Sequence, residues 1–443
     1  MVAILCALVG VAGAAPRMVK GPYLQNVAPD AITIMWELDE PVPASLVITG
    51  PAGARAASPA EVGRAAAPEA MPRLIVAPAD RVAEVRVDKL QPGTRYHYQV
   101  TVGESHWDGE LATAPPDGAD VPFSFVVFGD SRNGVEQHRR VLDRVVTEAP
   151  AFVLATGDMV DEGYNEEQWQ AFFDVEEKLM KGTVLFPAVG NHDRQGRGRT
   201  ADTYRTYFAV PENGADPERY YAFTYASARI VVLDSNSYSF SLTDQTAWLE
   251  RELIAARQDP AIRHIFVVMH HPPFSVSLHG GARDLRERWT PLFEKYQVSA
   301  VFSGHDHVYE RAEHDGIHYF VSGGAGAPLY PRRPAPNPVD VAAVVSFERT
   351  LHYLRVNVTS DRVEVTAVRP DGTVIETVSW ADAPVAPVAD EGGVPIHTIA
   401  AVGAHSSQGT VNAGERSTHR WWLALVAGLL VIAVIGVRRA LAR

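Results

Sequence analysis

From Phe123 onward the chain repeats one unit, a continuous apolar run that stops at a short block of polar residues. The runs are FSFVVFGD, AFVLATGD, TVLFPAVGNHD, ARIVVLDSN, HIFVVMHH, VSAVFSGHDH and IHYFVSGG. Helical patterns separate several of them. Val135, Val141, Leu142, Val145 and Val146 share one face of 135–149, and Trp248, Leu249, Leu253 and Ile254 share another. Unbroken apolar strands alternating with amphipathic helices predict a sheet buried on both faces. Such sheets bind ligands beyond their strand ends, which is where the polar blocks fall. The later runs LHYLRVNV, VEVTAV and TVIETVSW read as antiparallel strands that complete a second sheet.

Five of the blocks carry chemistry: FGD (Asp130), TGD (Asp158), GNHD (Asn191, His192), MHHPP (His270, His271) and GHDH (His305, His307). Carboxylate, amide and imidazole are the ligands that two neighbouring metal ions take in hydrolytic sites. One GD at a strand end is a turn signal, because Gly and Asp both favour turns. Five such blocks at one predicted edge of one sheet point instead to a single site. His97, His106, His138, His264, His314, His318, His352, His397, His405 and His419 fall outside the blocks and read as structural or surface residues.

The preceding segment has a different period. Residues 17–115 hold short alternating runs, AITIMWEL, ASLVITG, VAEVRVDKL and YHYQVTV, punctuated by Pro, Gly and Asp. That is the pattern of an all-β sandwich, with Trp36 in its core and Tyr96 placed as a tyrosine corner. Residues 114–122 (APPDGADVP) read as the linker to the next domain, 120–380.

Both ends of the chain read as targeting segments. Residues 1–15 are apolar and close on Ala12-Gly13-Ala14, the small-x-small pattern of a secretory cleavage site. Residues 381–418, rich in Ala, Pro, Gly and Ser, read as a flexible tether. Residues 421–437 form an uncharged apolar run, about 25 Å long as a helix and long enough to cross a bilayer core. Arg438, Arg439 and Arg443 follow it and predict a cytoplasmic C-terminus with the catalytic domain exported. The 40 Lys and Arg against 53 Asp and Glu argue against nucleic acid as a partner, since that binding rests on clustered cations.

The order GD, GD, GNH, MHHP, GHDH resembles the calcineurin-like metallophosphoesterases. The tail GHDHVYER and the preceding β-sandwich are similar to the purple acid phosphatase branch, whose N-terminal domain is fibronectin type III-like. The resemblance implies a four-layer α/β/β/α sandwich with two metal ions (Fe, Mn or Zn) at its edge. It implies Asp158 as the bridging ligand, Asn191, His270 and His305 at the second ion, and Asp130 and His307 at the first. His192 matches the family's catalytic histidine.

The chain departs from that pattern in two places. Many members carry DxH in the first block, where this chain has Asp130-Ser131-Arg132. Purple acid phosphatases carry a Tyr in GDxxY, where this chain has Asp161, with Tyr164 three residues beyond. An always-charged Arg cannot be a ligand, so the first site is expected to be ligand-poor and to bind its ion more weakly. Arg132, Asn133 and His271 are the candidates for holding substrate. Arg132 reads equally as a salt bridge to Asp161, and His271 as a packing residue beside a ligand. The expected activity is hydrolysis of a phosphate monoester, with a phosphodiesterase acting on nucleotides or phospholipid headgroups as the alternative. A surface binding protein with a degenerate metal site is the reading from another class.

Overall fold

The computed structural model describes residues 16–51, 73–194, 200–237 and 241–382. The expected leader (1–15), nearly all of the tether and the apolar run 421–437 lie outside these residues. Among the described residues no helix is long and apolar enough to cross a membrane.

The N-terminal part is a sandwich of two antiparallel sheets. One contains β1 (Met18–Gln25), β2 (Ile32–Leu38) and β5 (Val82–Val87) in the order β1-β2-β5. The other contains β3 (Ala44–Pro51), β4 (Arg73–Ala77), β6 (Arg95–Val102) and β7 (Ser105–Ala112) in the order β4-β3-β6-β7. Trp36 is fully buried between them. The Tyr96 hydroxyl accepts from the backbone N–H of Gln91 at 2.8 Å, the local bond that makes a tyrosine corner.

The second part holds two sheets face to face. The first has the order β10-β9-β8-β18-β19-β20: β8 is Phe123–Phe128, β9 Phe152–Ala155, β10 Val184–Pro187, β18 Tyr353–Val358, β19 Val363–Val368 and β20 Val374–Trp380. The second has the order β11-β12-β13-β14-β16-β15-β17. Its strands are β11 (Tyr221–Tyr225), β12 (Ala228–Leu233), β13 (His264–Met269), β14 (Ala300–Ser303), β15 (Tyr309–His314), β16 (Ile317–Ser322) and β17 (Val344–Glu348). The strands β8, β9 and β10 run parallel, as do β12, β13, β14 and β16.

Period-2 alternation divides each strand between two cores. Phe125 and Val127 of β8 face Phe266 and Val268 of β13 between the sheets. Val126 and Phe128 face outward onto helices α1 (Val135–Glu148) and α2 (Glu166–Met180). On the far side, Val267 and Met269 meet α3 (Thr243–Gln258) and α4 (Arg283–Lys295). The result is an α/β/β/α sandwich in which a buried Phe or Val contributes about 2 kcal/mol.

Two expectations need correction. The late strands β18 to β20 are antiparallel, but they extend the sheet of β8 through its pairing with β18 rather than completing the other sheet. The hairpin β15–β16 and strand β17 fill that role. Val135 does not share the buried face of α1: it stands at the first position of the helix and is 47% exposed, while His138, one turn on, packs against Phe128.

Candidate metal centre

All five blocks follow the C-terminal ends of parallel strands: β8, β9, β10, β13 and β14. Tight turns at these ends bring their side chains together. Asp130, Asp158 and His305 have positive φ (59°, 55° and 67°), a left-handed conformation uncommon outside Gly, Asn and Asp. The surrounding glycines permit the approach. A Cβ on Gly190 would lie 2.2 Å from Asp158 Oδ1, and one on Gly304 would lie 2.3 Å from Asp130 Oδ2.

His270 is the hub of the cluster. Its Nδ1 bonds Thr156 O at 2.8 Å, so in the neutral ring Nδ1 carries the hydrogen and Nε2 presents a lone pair. Around Nε2 lie Asn191 Oδ1 at 3.0 Å, His305 Nδ1 at 3.3 Å and Asp158 Oδ1 at 3.3 Å. Acceptor atoms from four different loops thus converge in a buried spot. Burial opposes charge on His270, but Asp158 and Asp130 outweigh it and push its pKa up to about 9. Asp158 is buried too, yet His270 holds its carboxyl far below the usual range. His271 and His305 are driven the other way, by burial and by the neighbouring imidazoles, and are neutral. Once His270 gives up its extra proton, neutral imidazoles, an ionised carboxylate and an amide oxygen form a ligand set that fits a cation.

A second position adjoins it. His307 Nδ1 bonds Pro328 O at 2.8 Å, which leaves Nε2 as the acceptor. That buried Nε2 has no hydrogen-bond partner and lies 3.4 Å from Asp130 Oδ1. The orphaned lone pair beside a buried carboxylate also fits a cation. Side-chain ligand atoms of Asp130, Asp158 and His270 lie within 4.8 Å of one another, as do those of His270, His271 and His305.

His192 stands at the rim with about a third of its side chain exposed. Its backbone N–H donates to Asp158 Oδ1 at 2.9 Å, and Nδ1 bonds Asp161 O at 2.8 Å, which leaves Nε2 toward solvent. His271 is fixed by Ser235, whose hydroxyl lies 2.9 Å from Nδ1. Arg132 sits between Asp158 and Asp161. Asn133 is not brought to the ligands: it is exposed in a left-handed turn (φ 59°) and lines a small cavity beside α2. Tyr164 is 58% exposed on the outer surface.

Residues 123–309 match the family profile described as calcineurin-like phosphoesterase. This segment belongs to that family. An uncharacterised protein of Mycobacterium tuberculosis is 32% identical over 270 residues, 52% of this chain and 51% of that one. A purple acid phosphatase of Glycine max is 27% identical over 298 residues, 64% of this chain and 63% of its own length. The chain thus spans about half to two thirds of the curated relatives it matches. The structure of a purple acid phosphatase from yellow lupin (Lupinus luteus) seeds shares the fold, with a TM-score of 0.66 and 17% identity over 83% of this chain and 74% of that one. The dinuclear Fe, Zn or Mn centre of such phosphoesterases has candidate ligands in both positions here.

Three residues of this candidate site were not read from the sequence. Asp193 is fully buried and accepts the N–H groups of Asp158, Met159, Val160 and Gly190, so it holds two ligand loops in register. Burial, then the nearby Asp158 charge, push its pKa up to about 7. Asp306 binds the Ser275 hydroxyl at 2.6 Å and the His279 N–H at 2.9 Å, fixing the loop after His271. That loop sets His279 over His305, with ring centroids 4.3 Å apart. The two carboxylates were signalled by GNHD and GHDH, where each stands beside a ligand. His279 had no signal, because it lies alone in a loop.

Proposed function

We propose that this protein is a metal-dependent phosphoesterase that hydrolyses phosphate monoesters outside the cytoplasm, anchored by its C-terminal apolar segment. The observation that carries the activity is the convergence of Asn191 Oδ1, Asp158 Oδ1 and His305 Nδ1 on His270 Nε2, next to a rim histidine. Asp158, Asn191, His270 and His305 would hold one ion, and Asp130, Asp158 and His307 the other. When bound, such ions supply Lewis acidity toward phosphate oxygens and lower the pKa of water.

The chain's own residues do the rest. Asp161 O fixes the tautomer of His192, so a protonated His192 presents Nε2–H to the leaving oxygen. His271 and His279 flank His305 and face the same space, where their N–H groups can hold the non-bridging oxygens. Arg132 takes part through Asp158 and Asp161 in the resting state, which makes the salt bridge its first role. The tyrosine corner and the 3 + 4 strand arrangement support reading 17–115 as fibronectin type III-like.

The test is a matched assay of the full chain in detergent, stripped of metal and reloaded with Mn, Zn or Fe. Chromogenic monoester and diester substrates are compared, with Asp158→Asn as the blank. Metal-dependent turnover with monoester preferred is the expected result. The enzyme reading fails if neither ester is turned over under any metal.

A further inference from the structure

Asp158 gives its two oxygens to different neighbours. Oδ1 faces His270 Nε2 at 3.3 Å and accepts from the His192 N–H at 2.9 Å. Oδ2 faces Arg132 Nε at 3.4 Å. The carboxylate that would be shared by the two ions therefore already faces a guanidinium charge.

Both terminal nitrogens of that guanidinium have partners of their own, whereas Nε makes no hydrogen bond and meets Asp158 only as a charge. Nη1 bonds Asp161 Oδ1 at 2.5 Å and Nη2 lies 3.4 Å from the Tyr330 hydroxyl. Tyr330 in turn stacks on His307, with centroids 3.9 Å apart and planes 17° from parallel, and its N–H donates to His307 O at 3.2 Å. Arg132 is therefore built into the residues that surround the first ion's place, with 12% of its side chain exposed. It cannot give up its charge to make room. The position keeps Asp130 and His307, but the third ligand is shared with a fixed cation. The residue types agree: this chain has Arg132 where DxH would put a His, and Asp161, the other partner of Arg132, where GDxxY would put a Tyr.

We infer that Arg132 competes with the first metal ion for Asp158, so that the protein retains one ion at His270 and takes up the other reversibly. The inference rests on the metal-site reading above and concerns the unequal standing of its two halves. It gives Arg132 a positioning role, acting on the ions through the shared carboxylate.

The experiment is metal counting rather than turnover. The full chain, loaded with excess Mn(II), is dialysed and assayed for metal per chain, and the affinity for re-added Mn(II) is then measured by titration. Wild type is expected to keep one ion. In Arg132→Gln the re-added ion should bind at least roughly tenfold tighter, from the loss of one nearby positive charge. Arg132→His, which restores DxH, should keep two ions, and Arg132→Lys should behave as wild type. At least one ion retained in every variant shows that the fold around His270 has survived substitution. Two ions kept by wild type, or an unchanged affinity in Arg132→Gln, would overturn the competition. A wild type that keeps none, even transiently, overturns the metal site itself, a separate failure.

Discussion

His264 and His270 stand at opposite ends of the same strand, β13, each buried and each beside an aspartate, yet they are different kinds of site. His264 Nδ1 bonds Asp382 Oδ2 at 2.7 Å and Nε2 bonds Thr359 O at 2.7 Å. Asp382 also receives the Ser299 hydroxyl and the Trp380 indole N–H. Every polar atom there has a complementary partner, so the cluster is finished as protein. At His270 the backbone matches only Nδ1. Nε2 meets an amide oxygen, a carboxylate and another imidazole nitrogen, all acceptors, a set that either a proton on Nε2 or a metal ion in its place would match. The presence of His and Asp is thus a poor guide to a metal site. The sign of the mismatch among their lone pairs is a better one.

Substitution should separate the two ends of the strand. His270→Ala should lose the tightly held ion and lower metal-dependent turnover on the order of a thousandfold, equivalent to about 4 kcal/mol. Metal content and kcat measured together check it, and loss of turnover with the ion retained would break the assignment. His264→Ala should do the reverse. Breaking a buried pair and stranding Asp382 costs roughly 3 kcal/mol of stability, visible as a Tm lower by several degrees, while kcat per folded molecule and metal content stay unchanged. A fall in retained metal in that variant would erase the distinction.

Glu310 sharpens the contrast from the side of the acids, because it is buried in the GHDHVYER block without a cation. Both its oxygens accept the Val276 N–H at 3.2 Å. Burial, then the neighbouring Asp306, push its pKa up to about 8. The unfolded chain releases this proton near the ordinary Glu value, about 4.3, whereas the folded chain keeps it until about pH 8. The contribution of Glu310 is therefore fully present below the unfolded value and is lost as pH rises toward 8, up to roughly 3 kcal/mol at pH 7. Glu310→Gln should flatten that slope, narrowing the Tm difference between pH 5 and pH 7.5. An unchanged difference would mean that the proton is not held.

Much of this could be read in the chain because strand and block are local patterns. Each apolar run that ends in a polar block became a parallel strand with its ligands at the C-terminal edge, and the order of the blocks carried the family. His264 was separable from His270 for the same reason, as it begins its run instead of ending it. Partners chosen across long distances were less legible. Nothing in VEVTAV or LHYLRVNV states which sheet it will join, since pairing with β8 is decided by the tertiary fold. Asp193 reads locally as the fourth letter of GNHD, and its bonds to four N–H groups exist only once the β9 and β10 loops meet. Tyr330 reaches His307 and Arg132 from a distant loop that carries no periodicity.

The central claim is that the unmatched lone pairs around His270 mark a metal position and the matched ones around His264 do not. Anomalous diffraction from crystals of the protein soaked in Mn(II) tests this directly. The predicted map has its strongest peak among His270 Nε2, His305 Nδ1, Asn191 Oδ1 and Asp158 Oδ1, and none at His264. A map without a peak at His270, or with an equal one beside His264 and Asp382, would contradict the account.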